Sequence, residues 1–225
     1  MTIATFVLTL LLAAFELVAP ASAQRFDMVV RADFFAGYAG DEARLQKAMA
    51  LCESILAENP NHAEALVWHG SGLLFQAGRA FQAGDAQSGL QLFQAGLKQM
   101  TDAVSLAPND VAVLIPRGAV LLAATARMDP VQARPLVELA VADYEKVLSI
   151  QAPYFDTLGD HPRGELLFGL AEGSARLGRL DKARMYFERL VQDVPKSGQS
   201  PRAQEWLTTG SIPKVAGIGC VGCHK

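Results

Sequence analysis

Apolar residues recur at helical spacing along nearly the whole chain, and short proline-centred breaks interrupt them. Between Asp41 and Glu58 the apolar positions are Leu45, Ala48, Met49, Cys52, Ile55 and Leu56. That i, i+3, i+4, i+7 stripe gathers them on one face of a helix. Asn59-Pro60-Asn61 ends it, because proline has no N–H to continue the ladder, and Asn61 is expected to cap the next helix. The same punctuation returns at Ala107-Pro108-Asn109-Asp110, with a related stop at Val194-Pro195. No stretch alternates with a period of two, so the expected class is all-α, built from hairpins. Composition supports a packed chain: 51% hydrophobic and 19% charged residues are too apolar for disorder. A net charge of -3 gives no electrostatic case for nucleic acid or anionic lipid. Three cysteines are too few for a disulfide scaffold.

The internal spacing is more specific than the class. From Gly164 to Ser197, the residues Leu167, Leu170, Ala171, Gly178, Ala183, Phe187, Leu190 and Pro195 fall at the key offsets of a 34-residue helix–turn–helix unit. This segment resembles a tetratricopeptide repeat, and Gly178-Arg179-Leu180-Asp181-Lys182-Ala183 is similar to its inter-helix turn. Looser units open at Leu66, Gly70 and Leu73, closing at Gly96, Met100, Ala103 and Pro108, and again at Leu114, Gly118 and Leu121, closing at Ala140, Tyr144, Val147 and Ala152. Pro60 to Pro108 is 48 residues, so the helices there are expected to exceed the family's length. Asp41–Pro60 reads as a preceding half-unit, and Pro201–Thr209 as a terminal capping helix. The resemblance implies a right-handed α-solenoid over residues 24–209 whose concave groove takes a protein or peptide partner. Trp68, Phe75, Phe93, Phe168 and Phe187 are expected in the core, and Cys52 is expected to be a buried free thiol. Ala152–Gly164 is the longest non-periodic stretch inside the array and is expected to be a connector whose aromatics plug a gap between hairpins.

The first residues read as an address. Ile3–Phe15 is an apolar run of 13 residues, too short to span a bilayer, and Ala21-Ser22-Ala23 supplies the small-residue cleavage pattern. Residues 1–23 are therefore expected to be a signal peptide cut before Gln24, leaving an exported chain, periplasmic or secreted, with no membrane span. Two features depart from that pattern: no Lys or Arg precedes the run, and Glu16 follows it closely. A buried N-terminal helix is the alternative.

The sharpest chemical signal is Cys220-Val221-Gly222-Cys223-His224, in the tail formed by residues 210–225. C-x-x-C-H resembles the attachment sequence of c-type cytochromes. That resemblance implies one covalent haem c: the thiols of Cys220 and Cys223 add to its two vinyl groups, and His224 is the proximal iron ligand. Only Lys225 follows, so the expected distal ligand comes from the array (His161, His62 or His69, or Met100, Met128 or Met185), comes from a partner, or is absent. Gly210–Gly219 reads as a flexible linker able to reach about 33 Å when extended. The alternatives are zinc held by Cys220, Cys223 and His224 plus a further ligand, a redox dithiol, or a plain Cys220–Cys223 disulfide. No Ser-His-Asp, H-E-x-x-H or phosphate-loop pattern occurs, so no catalytic residue is nominated and an enzyme is not expected. The combined expectation is an exported interaction scaffold carrying a haem, passing electrons to a docked redox partner.

Overall fold

The computed structural model describes residues 25–211. Over that span the chain forms α1 (Phe26–Tyr38), α2 (Glu42–Glu58), α3 (Ala63–Gln82), α4 (Ala86–Leu106), α5 (Val111–Ala124), α6 (Pro130–Gln151), α7 (Asp160–Arg176), α8 (Leu180–Asp193) and α9 (Ser200–Thr209). A 3-10 turn, Ala152–Thr157, joins α6 to α7, and the described residues contain no strand.

Local chemistry sets the helix ends. Asp41, Asp85, Asp110 and Asp129 cap α2, α4, α5 and α6, each carboxylate accepting from a backbone N–H of the first turn. Each such cap satisfies a donor that has no partner within the helix and is worth about 1 kcal/mol. At α3 the cap is His62 rather than the expected Asn61: its Nδ1 accepts from the Ala65 N–H at 3.2 Å, while the Asn61 N–H donates to Asn59 Oδ1. The turns closing the α1–α2, α3–α4 and α7–α8 hairpins each contain a glycine at positive φ, with Gly84 at 82° and Gly178 at 75°. Only glycine takes that conformation without a Cβ penalty.

Two other expectations change in detail. The half-unit at Asp41–Pro60 is a complete hairpin, because α1 packs against α2. The stretch 152–164 is largely helical: Pro153 sits in the first turn of the 3-10 segment, where its missing N–H costs nothing, and α7 starts at Asp160. Its aromatic plug is Phe155, which is buried with the guanidinium of Arg189 4.6 Å from its ring centre, while Tyr154 stays exposed. The readings of helix length, of the closing helix and of Cys52 agree with the structure. Helices α3, α4 and α6 run to 20, 21 and 22 residues, longer than in a 34-residue unit. Residues 200–209 form the closing helix, and Cys52 is a fully buried free thiol.

The array is a helical repeat in which every odd-numbered helix touches the next odd-numbered one from α1 to α7. Each even-numbered helix fills the step between its hairpin partner and the odd helix that follows. Close approach inside a hairpin relies on small residues: a Cβ placed on Gly70 would lie 2.7 Å from the Gly96 carbonyl oxygen across the α3–α4 seam. Aromatic contacts bridge successive hairpins, with Phe34 stacked on Trp68 at 5.2 Å and Phe187 set between Phe168 and Trp206 at 5.7 and 4.7 Å. Trp68, Phe168 and Phe187 are buried as expected; Phe75 and Phe93 pack on the core from partly exposed positions. In the middle of the array, Arg117 on α5 grips Asp143 on α6 through two hydrogen bonds of 2.7 and 2.6 Å, both side chains buried. Among the described residues no helix is long and apolar enough to cross a membrane.

Candidate functional site

Successive odd helices pack side by side, α1 on α3, α3 on α5 and α5 on α7. Arg31 lies on α1 and His161 in the first turn of α7. Burial, and then the Arg31 guanidinium, push the His161 imidazole below its ordinary pKa. His161, Glu165, Phe168, Glu172 and Arg176 recur at three- and four-residue spacing and so form one stripe along α7. His161 Nε2 lies 3.4 Å from Glu165 Oε1, with side chains 34% and 23% exposed. Further along, burial raises the Glu172 carboxyl, and the cations of Arg202 and Arg176 pull the other way without cancelling it. Arg202, reaching from α9, lies with its guanidinium 4.2 Å from the Phe168 ring centre. Arg176 turns to the end of α5, donating to the carbonyls of Leu122 and Thr125 and to Thr125 Oγ1. This donor set adds to the hydrogen bonds that these carbonyls accept from the Met128 N–H and Thr125 Oγ1, fastening the end of α5 to α7. The α7 stripe therefore alternates acids, a guanidinium group and an aromatic ring.

The three candidate histidines stand in different settings and are not brought together. His62 is committed to capping α3, and its ring meets Phe26 edge-on at 5.2 Å. His69 is buried on α3, with Nδ1 2.7 Å from Gln99 Oε1 on α4 and Nε2 3.4 Å from Glu53 Oε1 on α2. His161 is partly exposed in the first turn of α7. Met100 is fully buried in the core, Met128 partly so, and Met185 is exposed on α8. The expected signal peptide, residues 1–23, and the tail residues Cys220, Cys223 and His224 lie outside the described residues. Among the described residues no group of three or more His, Cys, Asp or Glu side chains could hold a metal ion.

Residues 165–197 match the tetratricopeptide repeat family model. The match covers the α7–α8 hairpin and the turn after it, where the repeat offsets are most regular. The body is thus a TPR-like all-α helical repeat, and TPR domains generally bind protein partners. No curated protein and no solved structure matches the chain.

Cys220 and Cys223 would supply the two thioether sulfurs of a c-type haem and His224 an imidazole for its iron, whereas zinc would need one ligand beyond these three. Sequence reasoning missed Arg202, which α9 brings over the Phe168 ring. The α7 stripe was readable from its spacing, but the helix that packs beside it is set by the tertiary fold.

Proposed function

We propose that this protein is an exported TPR-like interaction scaffold that carries one covalent haem c on its C-terminal tail and passes electrons to a protein docked in the concave groove expected of such repeats. The observation that carries the reading is the Cys220-Val221-Gly222-Cys223-His224 sequence joined to a helical-repeat body. Each thiol adds its S–H across one vinyl group, forming a C–S and a C–H bond with no leaving group, so the protein gains the whole mass of the haem. The bound group would supply reversible one-electron chemistry; His224 would hold the iron, and the groove would select the partner. Removal of residues 1–23 would place the tail in the compartment where such attachment is made. The reading involves no catalytic residue.

The test is the intact mass and absorption spectrum of protein made in a host that matures c-type cytochromes. The expected result is a chain beginning at Gln24, heavier by one haem, with a haem band that stays with the protein after acid-acetone extraction. A chain without that band overturns the haem reading. Zinc in elemental analysis would point to the metal alternative, and neither metal nor haem to a cofactor-free scaffold with a Cys220–Cys223 disulfide.

A further inference from the structure

Resting on the reading that a protein docks on the array, we propose that the seam between α5 and α7 carries a binding site for the ammonium group of a lysine on that partner. Glu172 is the counter-charge and the Tyr144 hydroxyl a second acceptor.

The site begins with a tyrosine that crosses the array. Tyr144 belongs to α6, and its ring runs between α5 and α7. A Cβ placed on Gly118 of α5 would lie 3.2 Å from Tyr144 Cζ, and one on Gly169 of α7 would lie 2.6 Å from it. The second distance is too short for a real Cβ, so glycine at 169 leaves the ring its passage. Cζ carries the hydroxyl, so the polar end of the side chain is lodged at the seam, while the residue as a whole is 5% exposed. That hydroxyl has no hydrogen-bond partner among the described residues. The polar side-chain atoms there that lack a partner and are sealed from water are Trp68 Nε1, Arg163 Nε, Ser174 Oγ and Arg202 Nε. The Tyr144 oxygen is not one of them, so it meets solvent with its hydrogen-bonding capacity unused.

The groups around it are acids. Gly169 stands four residues after Glu165 and three before Glu172, spacings that place all three on one face of α7 with Cβ positions about 5–6 Å apart. The phenol therefore ends between the two acids. Burial raises its pKa, and the charges of Glu165 and Glu172 add to the rise. Glu165 is already engaged, with His161 Nε2 3.4 Å away. Glu172 is not: it is partly exposed, burial raises its carboxyl against the pull of Arg202 and Arg176, and among the described residues no cation comes within ion-pair distance of it. An accessible acid in that setting is stabilised by a cation brought into contact with it.

The two nearby guanidinium groups are committed elsewhere. Arg176 gives its donors to the end of α5. Arg202 lies on the Phe168 ring, donates to Gln199 Oε1 at 3.0 Å and keeps its Nε sealed. The seam thus leaves acceptors open, a carboxyl on α7 and a phenol oxygen from α6. An ammonium is a compact charge with three donors, and it can meet two acceptors that do not share the plane a guanidinium fork requires.

Full-length protein is titrated with N-acetyl-lysine methylamide and with its norleucine analogue, which lacks only the ammonium, and binding is read from the backbone amide NMR shifts of α7. The expected result is saturable shifts around Gly169 and Gly173 with the lysine probe and none with the analogue. E172Q should weaken binding by about tenfold or more and Y144F by about threefold, with helicity unchanged by circular dichroism. E138Q, at an exposed position of α6, should bind as the wild type does. No saturable shift with the lysine probe, an equal response to norleucine, or undiminished binding by E172Q overturns the site. Saturation by acetate in place of the lysine probe also overturns it, in favour of an anion site on Arg176 and Arg202. The readout does not involve haem: a chain that binds the probe but shows no haem mass overturns the electron-transfer reading alone, and a haem-loaded chain that ignores the probe overturns this site alone.

Discussion

Arg117 and Asp143 illustrate how much a single pair decides in this fold. Both side chains are nearly free of solvent, and their two hydrogen bonds join α5 to α6 in the middle of the array. Removing charge from water is costly, so the pair as a whole adds little net stability, while either charge left alone is expensive. D143L should therefore lose about 3–5 kcal/mol in urea unfolding, whereas R117M combined with D143L should come close to the wild type. Equal losses in the single and double variants would show that packing, rather than the orphaned charge, sets the cost. Cys52 shows the same rule for an uncharged group. Burial, with a smaller contribution from the Glu53 carboxylate, pushes its thiol up to about 12, consistent with a cysteine that packs as an apolar residue.

At the scale of elements, the α1–α2 hairpin is held by an acid that the sequence presents as a surface residue. Burial works to raise the Asp33 carboxyl, but hydrogen bonds and charge from Lys47 and Arg44 outweigh it and leave Asp33 below the ordinary carboxylate range. A carboxylate with a lowered folded-state pKa stabilises the fold above its unfolded value, about 3.9, and that contribution disappears as pH falls through the folded value. The stability gap between wild type and D33N should thus be constant near neutrality and shrink as pH drops below about 4, measured by urea unfolding across that range. A gap that widens in acid would reverse the assigned sign. The same residue explains why α1 was not legible. Asp27 and Asp33 fall on its buried face, paired with Arg25 and with Arg44 and Lys47, and they interrupt the apolar stripe that marks the other helices. By contrast the α7–α8 hairpin was readable from Gly164 onward, since Gly178, Ala183, Phe187 and Pro195 stand at fixed offsets. Pro153 misled in the opposite sense, because a proline that opens a 3-10 turn has the same one-letter signature as a proline that breaks a helix. For the candidate site, the tail motif and His161 were visible as residues. The approach of Arg202 on α9 to Phe168 on α7 depends on tertiary packing, which no local pattern encodes.

At the scale of the whole molecule, repeat arrays gain stability from contacts between neighbours, so a defect at one end need not reach the other. Trp206 is the terminal piece of the aromatic run: it is buried on α9 against Phe187, which in turn meets Phe168. Removing it leaves a large void at the closing helix, and a buried Trp→Ala change costs about 3–5 kcal/mol. How that loss is distributed depends on coupling along the array. The Phe34–Trp68 stack anchors the opposite end, and the contacts linking the two ends pass through α5 and α6. If nearest-neighbour coupling governs, W206A should lose amide protection in α9 and α8, less in α7, and none in α2, α3 and α4 by hydrogen exchange. Uniform loss from α1 to α9 would instead mean that the row unfolds as one cooperative unit. In that case coupling beyond neighbouring hairpins, rather than stacking alone, would be what makes the array a single body.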